Sequence, residues 1–193
     1  MRLHWLHDYL TLNDQPEPAE LIFVLAGRMD RKRYGLELYR TGVAPRLLLS
    51  VGRFEISKMA AIDFEGSDEL IVQRNKLPPD KRHFFCEMNA RGLQIEQPQL
   101  RRWNTYGEIL GLREFLAHDM PRSLLVISSD VHLRRVALTI DKVFRGATTK
   151  IRYRAVPTED RGYVIREAIK LAGYRVILSL PDGMIRRIMR LKP

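Results

Sequence analysis

Three stretches of the chain, Glu20-Leu-Ile-Phe-Val-Leu-Ala-Gly27, Arg46-Leu-Leu-Leu-Ser-Val-Gly52 and Ser123-Leu-Leu-Val-Ile-Ser128, each hold a nearly unbroken apolar run of strand length. A strand that is apolar at every position must be covered on both faces, a condition that interior strands of a parallel sheet meet and surface antiparallel strands do not. Between the first two lies Asp30 to Thr41, with Tyr34, Leu38 and Tyr39 at helical spacing and Gly42 where a helix should stop, so the three pieces make one strand, helix, strand unit. The pattern predicts an α/β fold: three-layer, Rossmann-like, a mostly parallel sheet with helices on both faces.

The rest of the chain extends the pattern. Asn104 is placed to cap a helix from Thr105 to His118, whose apolar stripe is Ile109, Leu112 and Leu116. A helix opens at Asp130 and runs to about Phe144, Lys150 to Val156 makes a further strand, and Tyr163 to Leu180 reads as one long helix covering the sheet. The stretch from Arg53 to Arg102 is the least regular, broken by Pro78-Pro79 and Pro98, with a short helix around Ser67 to Asn75 and a short strand at His83-Phe-Phe-Cys-Glu-Met88. A length of 193 residues suits a single domain over residues 1–193.

Composition excludes several classes. One cysteine, Cys86, permits no internal disulfide, and no Cys/His ladder or carboxylate cluster suggests a metal, so no metal ligand is assigned. His83 and Cys86 have ligand-like spacing but sit beside Phe84 and Phe85, which favours a buried thiol. Met1 to Leu12, with His4, His7 and Asp8, lacks the apolar run of a signal peptide or membrane span, so a cytoplasmic location is expected. His4 and His7 are expected at the surface. The net charge is +10, and eleven basic against four acidic residues from Lys150 onward place +7 of it in the last quarter. Nucleic-acid binding is disfavoured all the same, because Trp103, Tyr106 and Tyr153 form no stacking motif. The C-terminal helical segment 163–192 ends in Gly183-Met-Ile-Arg-Arg-Ile-Met-Arg-Leu-Lys192, a short basic amphipathic helix. It suits either packing on the domain or lying on an anionic membrane, which would make the protein peripheral at the inner membrane face.

In a doubly wound sheet, ligands bind beyond the carboxyl ends of the strands. Those ends are Ala26-Gly27, Ser50-Val51-Gly52 and Ser128-Ser129, where glycines admit tight turns and hydroxyls hold anions. After them comes Asp130-Val-His-Leu-Arg-Arg135, which puts His132 in a first helical turn as a candidate acid or base, with Arg134 and Arg135 adding cationic capacity. Arg101-Arg102-Trp103 is placed to guard the mouth of such a pocket.

These pieces, in this order, resemble the YdcF-like family that includes SanA and ElyC, a domain of unknown function numbered 218. The matching residues are Ala26-Gly27, Arg31, Leu38-Tyr39-Arg-Thr-Gly42, Ala44-Pro45, Ser50-Val-Gly52, Asn104-Thr105, and Ser128-Ser129 with His132 and Arg135, over about residues 20–144. The chain departs from the family at Ala26, Val51 and Val136, and its glutamate after Asn-Thr is shifted by one to Glu108. The family's acidic residue before Asn-Thr has no match, since Glu87 and Glu96 lie at other spacings. The resemblance implies a divergent member with an envelope-related role. Together with the strand ends, it implies a site for a small anionic or nucleotide-like molecule. His132 and Arg135 are the catalytic candidates; Gly27, Arg31, Ser50, Gly52, Asn104, Thr105, Glu108, Ser128 and Ser129 are the ligand-binding ones. The chemistry expected is hydrolysis or group transfer on a phosphate-bearing substrate, the cofactor being either of the S-adenosylmethionine type or none. The alternative is a non-catalytic protein binding a regulatory ligand or a cofactor of the S-adenosylmethionine type. Truncating His132 or Arg135 is expected to weaken the ligand and leave fold stability little changed.

Overall fold

The computed structural model describes residues 4–15, 17–98, 104–158 and 161–189, with no account of the Arg161 side chain. Six strands form one sheet: β1 (Leu21–Val24), β2 (Leu47–Gly52), β3 (His83–Asn89), β4 (Gly92–Glu96), β5 (Ser123–Ser129) and β6 (Lys150–Val156), in the order β4-β3-β2-β1-β5-β6. β2, β1, β5 and β6 run parallel, while β3 and β4 extend the sheet antiparallel beside β2. The helices are α1 (His4–Leu10), α2 (Met29–Arg40), α3 (Ser67–Asn75), α4 (Thr105–Phe115), α5 (Leu133–Val143), α6 (Arg161–Leu178) and α7 (Asp182–Ile188). The fold is α/β and Rossmann-like, as the apolar runs require.

Period-two alternation sorts each strand onto two buried faces. Leu21, Phe23, Leu48, Phe85, Leu124 and Val126 meet α4 and α5, whereas Ile22, Val24, Leu47, Leu49, Leu125 and Ile127 meet α2, α3 and the 3-10 segment Ile56–Ile62. Gly35 lets α2 approach the sheet closely: a Cβ there would stand 2.4 Å from Val24 Cγ2.

β1 leads through α2 to β2 on one side, while β5 leads through α5 to β6 on the other. The connections diverge between β1 and β5, and the carboxyl ends of these two strands therefore leave a crevice.

Three expectations change. The helix after β5 begins later than Asp130, because Asp130–His132 forms a 3-10 turn and α5 starts at Leu133 with His132 at its cap position. The long C-terminal helix forms as α6 but packs on α5 and α1 instead of on the sheet, because α4 and α5 already cover that face. The irregular region holds β4, whose alternate exposed and half-buried positions mark an edge strand. No described helix is long and apolar enough to cross a membrane. Residues 1–3 of the start, the Arg101-Arg102-Trp103 segment and the tail from Arg190 lie outside the described residues.

Candidate functional site

Beyond the ends of β1 and β2 opens a cleft of about 1210 Å³. Its floor begins at Ala26-Gly27. Gly27 has φ +131°, a conformation open to glycine, and a Cβ would lie 3.1 Å from Arg31 Nη1. Arg31 is itself buried and fully engaged: Nη1 donates to the Ala26 carbonyl at 2.9 Å, and Nε and Nη2 donate to Ser129 Oγ at 3.0 and 2.8 Å. It fastens the end of β1 to the end of β5. The next residue, Lys32, fully buried, donates to the Leu25 carbonyl at 3.0 Å and pairs with Glu55 Oε1 at 2.6 Å. Burial disfavours its charge, and Glu55 counters that. Glu55 in turn accepts the Gly52 N–H at 2.8 Å and so shapes the turn after β2.

The opposite wall is the start of α4. Asn104 caps it, accepting the Gly107 N–H at 2.8 Å, as the sequence predicts. Glu108, one turn in, accepts the Ala26 N–H at 2.7 Å, and burial pushes its carboxyl above the usual range. Ser50, fully buried, meets His83 Nε2 at 2.7 Å. His83 opens β3 and lines the cleft; burial and the nearby Lys32 charge hold its imidazole neutral, well below the ordinary range.

His132 stands behind Thr105. Its Nδ1 meets Ser128 Oγ at 2.9 Å and its Nε2 meets Thr105 Oγ1 at 3.2 Å. Burial, with the positive charges of Arg135, Arg31 and Lys170, keeps it neutral. Arg135 donates to Thr105 Oγ1, and its Nε and Nη2 reach Glu167 Oε2 at 3.0 and 2.8 Å. Glu167 also holds Lys170 at 2.8 Å, and the Tyr174 ring lies 5.0 Å from the Arg135 guanidinium carbon.

Of the residues singled out from sequence, Gly27, Gly52, Asn104, Thr105, Glu108 and Arg135 line the cleft. Arg31, Ser50, Ser128, Ser129 and His132 form a hydrogen-bonded layer behind them, outside the lining. Arg134 belongs elsewhere: its Nε donates to the Tyr9 carbonyl at 2.7 Å and its guanidinium lies over the Tyr9 ring. Because Arg135 is locked in a buried ion pair, its truncation is expected to lower stability as well as any affinity. Asp130 ties His7 and the Thr158 N–H, each at 3.0 Å, and so serves the scaffold.

Sequence reasoning passed over Arg53, Phe54, Glu55, Arg82, Lys170 and Tyr174 and weighed His83 only beside Cys86, yet all of these line the cleft. Phe54 is 73% exposed, and the Arg53 guanidinium carbon sits 4.4 Å above its ring, leaving a flat aromatic platform at the mouth. A signal for α6 was present: Glu167, Lys170 and Tyr174 fall at helical spacing on one face. Among the described residues no group of three or more His, Cys, Asp and Glu side chains could hold a metal ion. Searches against family models, curated proteins and solved structures found no match for the chain.

Proposed function

We propose that the chain is a divergent YdcF-like protein whose cleft binds a small phosphate-bearing, nucleotide-like molecule. One observation carries the reading. The first turn of α4, whose N–H groups have no partner within the helix, opens into the same cleft as Arg53, Arg82, Arg135 and Lys170, beyond the ends of β1 and β2. Glu55, Asp80 and Glu108 are the acidic residues of the lining. The exposed Phe54 ring gives a base or other flat group a surface to stack on. The volume exceeds the roughly 300–1,000 Å³ of common small-molecule pockets, so a nucleotide fits with room to spare.

The test is a calorimetric titration of the full chain with ADP, pyrophosphate and S-adenosylmethionine. ADP and pyrophosphate are expected to bind. Lys170→Ala and Arg53→Ala are each expected to weaken ADP about tenfold or more, since a hydrogen bond to a charged group is worth about 1.5–3 kcal/mol. Binding of S-adenosylmethionine alone would replace this reading with that of a cofactor or regulatory site.

A second partner is favoured by the outer face of α6 and α7. Ile165, Ile169 and Val176 are 48%, 69% and 68% exposed, with Met184 and Ile188 beside them on α7. Arg166, Arg175, Arg186 and Arg187 are exposed on the same helices, where the described acids are Glu167, buried with Arg135, and Asp182, paired with Lys142 at 3.0 Å. Apolar side chains fringed by cations suit an anionic membrane surface. Ile185, fully buried, meanwhile packs α7 on the domain and leaves Met184 and Ile188 exposed beside it.

A further inference from the structure

We infer that the cleft takes a diphosphate substituted at both ends, two nucleosides joined through their phosphates, with Phe54 seating one base and Tyr174 the other. The inference rests on the cleft being the phosphate-ligand site and adds what fills its two ends. Each of these rings carries a guanidinium. The Arg53 guanidinium carbon lies 4.4 Å from the Phe54 ring centre, and that of Arg135 lies 5.0 Å from the Tyr174 ring centre. All four side chains line the same cleft. A base stacks on an aromatic face or on a guanidinium plane because each is flat and attracts a π-system, and the contact tolerates any base.

The two rings come to the cleft from opposite sides of β1. Arg53 and Phe54 directly follow β2, and the chain then enters Ile56–Ile62, which packs on the α2 side of the sheet. Tyr174 lies on α6 and packs with the α4 and α5 side, where Arg135 of α5 meets it. β1 separates β2 from β5 in the sheet, so the strand ends that lead to the two stacks are two strand spacings, about 10 Å, apart. Glu108, bonded to the Ala26 N–H at 2.7 Å, fixes α4 over the end of β1, midway along that span. Lys170, half-exposed and one helical turn before Tyr174, sets a cation beside the second ring for the phosphates. A mononucleotide engages one ring and leaves the other without a partner. The size agrees, since about 1210 Å³ exceeds the roughly 300–1,000 Å³ that common small molecules fill.

The experiment is a calorimetric titration of the full chain, at one ionic strength, with pyrophosphate, ADP, ADP-ribose and diadenosine diphosphate. Diadenosine diphosphate carries less negative charge than ADP, so phosphate contacts alone would rank it weaker. Expected is the reverse: it binds about tenfold or more tighter than ADP and than ADP-ribose, whose second end is a sugar, in keeping with one added base stack. F54A and Y174L are each expected to cost diadenosine diphosphate about tenfold or more. ADP, seated on Phe54, should weaken in F54A and stay within about threefold in Y174L, and Y174F, which keeps the ring, should retain the affinity of the wild-type chain. Phe54 is exposed, so F54A reads the ligand without a threat to the fold. ADP or ADP-ribose binding as tightly as diadenosine diphosphate, or F54A or Y174L leaving its affinity unchanged, would each overturn the inference and leave the ligand reading standing. Binding of none of the four would overturn both.

Discussion

Arg135 and Glu167 join α5 to α6 at the wall of the cleft, with side chains 10% and 4% exposed and two guanidinium nitrogens on one carboxylate oxygen. Removing one partner of a buried pair costs about 3–5 kcal/mol, mostly because the other charge is left without compensation. Here Lys170 stays 2.8 Å from Glu167 Oε1, so Arg135→Met should sit at the lower end, about 3 kcal/mol. At this chain length that is a drop in Tm of roughly 6–12 °C. The double variant Arg135→Met with Glu167→Leu replaces the pair by apolar groups of similar size and should lose no more than either single change. Urea unfolding of the four proteins at 25 °C and pH 7.5 gives the coupling energy directly, expected at about 2–3 kcal/mol. A cost below about 1 kcal/mol for Arg135→Met, or strict additivity in the double variant, would refute the argument that this pair holds the wall. A consequence for ligand work is that affinity changes at Arg135 must be read against stability, whereas Lys170 and Arg53 report on the ligand more cleanly.

Two further outcomes are expected. His132 is held neutral in the folded state, below its unfolded value near 6.5, so its contribution is intact above that pH and is lost as the pH falls below it. The slope is up to about 1.4 kcal/mol per pH unit, and urea midpoints from pH 7.5 to 5 should fall less steeply in H132Q; equal slopes would sink this account. For the outer face of α6, the chain should sediment with phosphatidylserine vesicles and not with phosphatidylcholine ones, and I169E should abolish it; a concentration-dependent dimer lost in I169E would assign the face to a second copy instead.

Legibility followed the physics of each element. β1, β2 and β5 were readable because burial on both faces forces a continuous apolar run, and Asn104 because a cap is a local bond. β4 escaped because the two residues joining it to β3, Ala90 and Arg91, are not a hairpin dipeptide, and an edge strand needs few apolar residues. The buried thiol expected at Cys86 is present, and the place of His83 beside it is instructive. Residues three apart on a strand face opposite sides, so His83 and Cys86 never formed a pair: Cys86 packs in the α2 layer while His83 turns with Phe85 toward α4. Glu55 was out of reach for another reason, and Lys170 and Tyr174 were legible as one helix face but not as a wall of the cleft: the fold brings them there from segments far apart in sequence.

That dispersal governs when the cleft comes into being. Its walls are drawn from Ala26 at one extreme to Tyr174 at the other, and the strand pair beneath it, β1 with β5, joins Leu21 to Leu124. Contacts so distant in sequence close late, after the loop entropy of the intervening chain has been overcome. The β3–β4 hairpin and the β1-α2-β2 unit can assemble on their own schedule, but no partly folded chain lacking α6 presents Lys170 and Tyr174 beside Gly27. Affinity for a cleft ligand is thus a clock for a late stage of folding, and a chain emerging during synthesis acquires its site only once α6 is out.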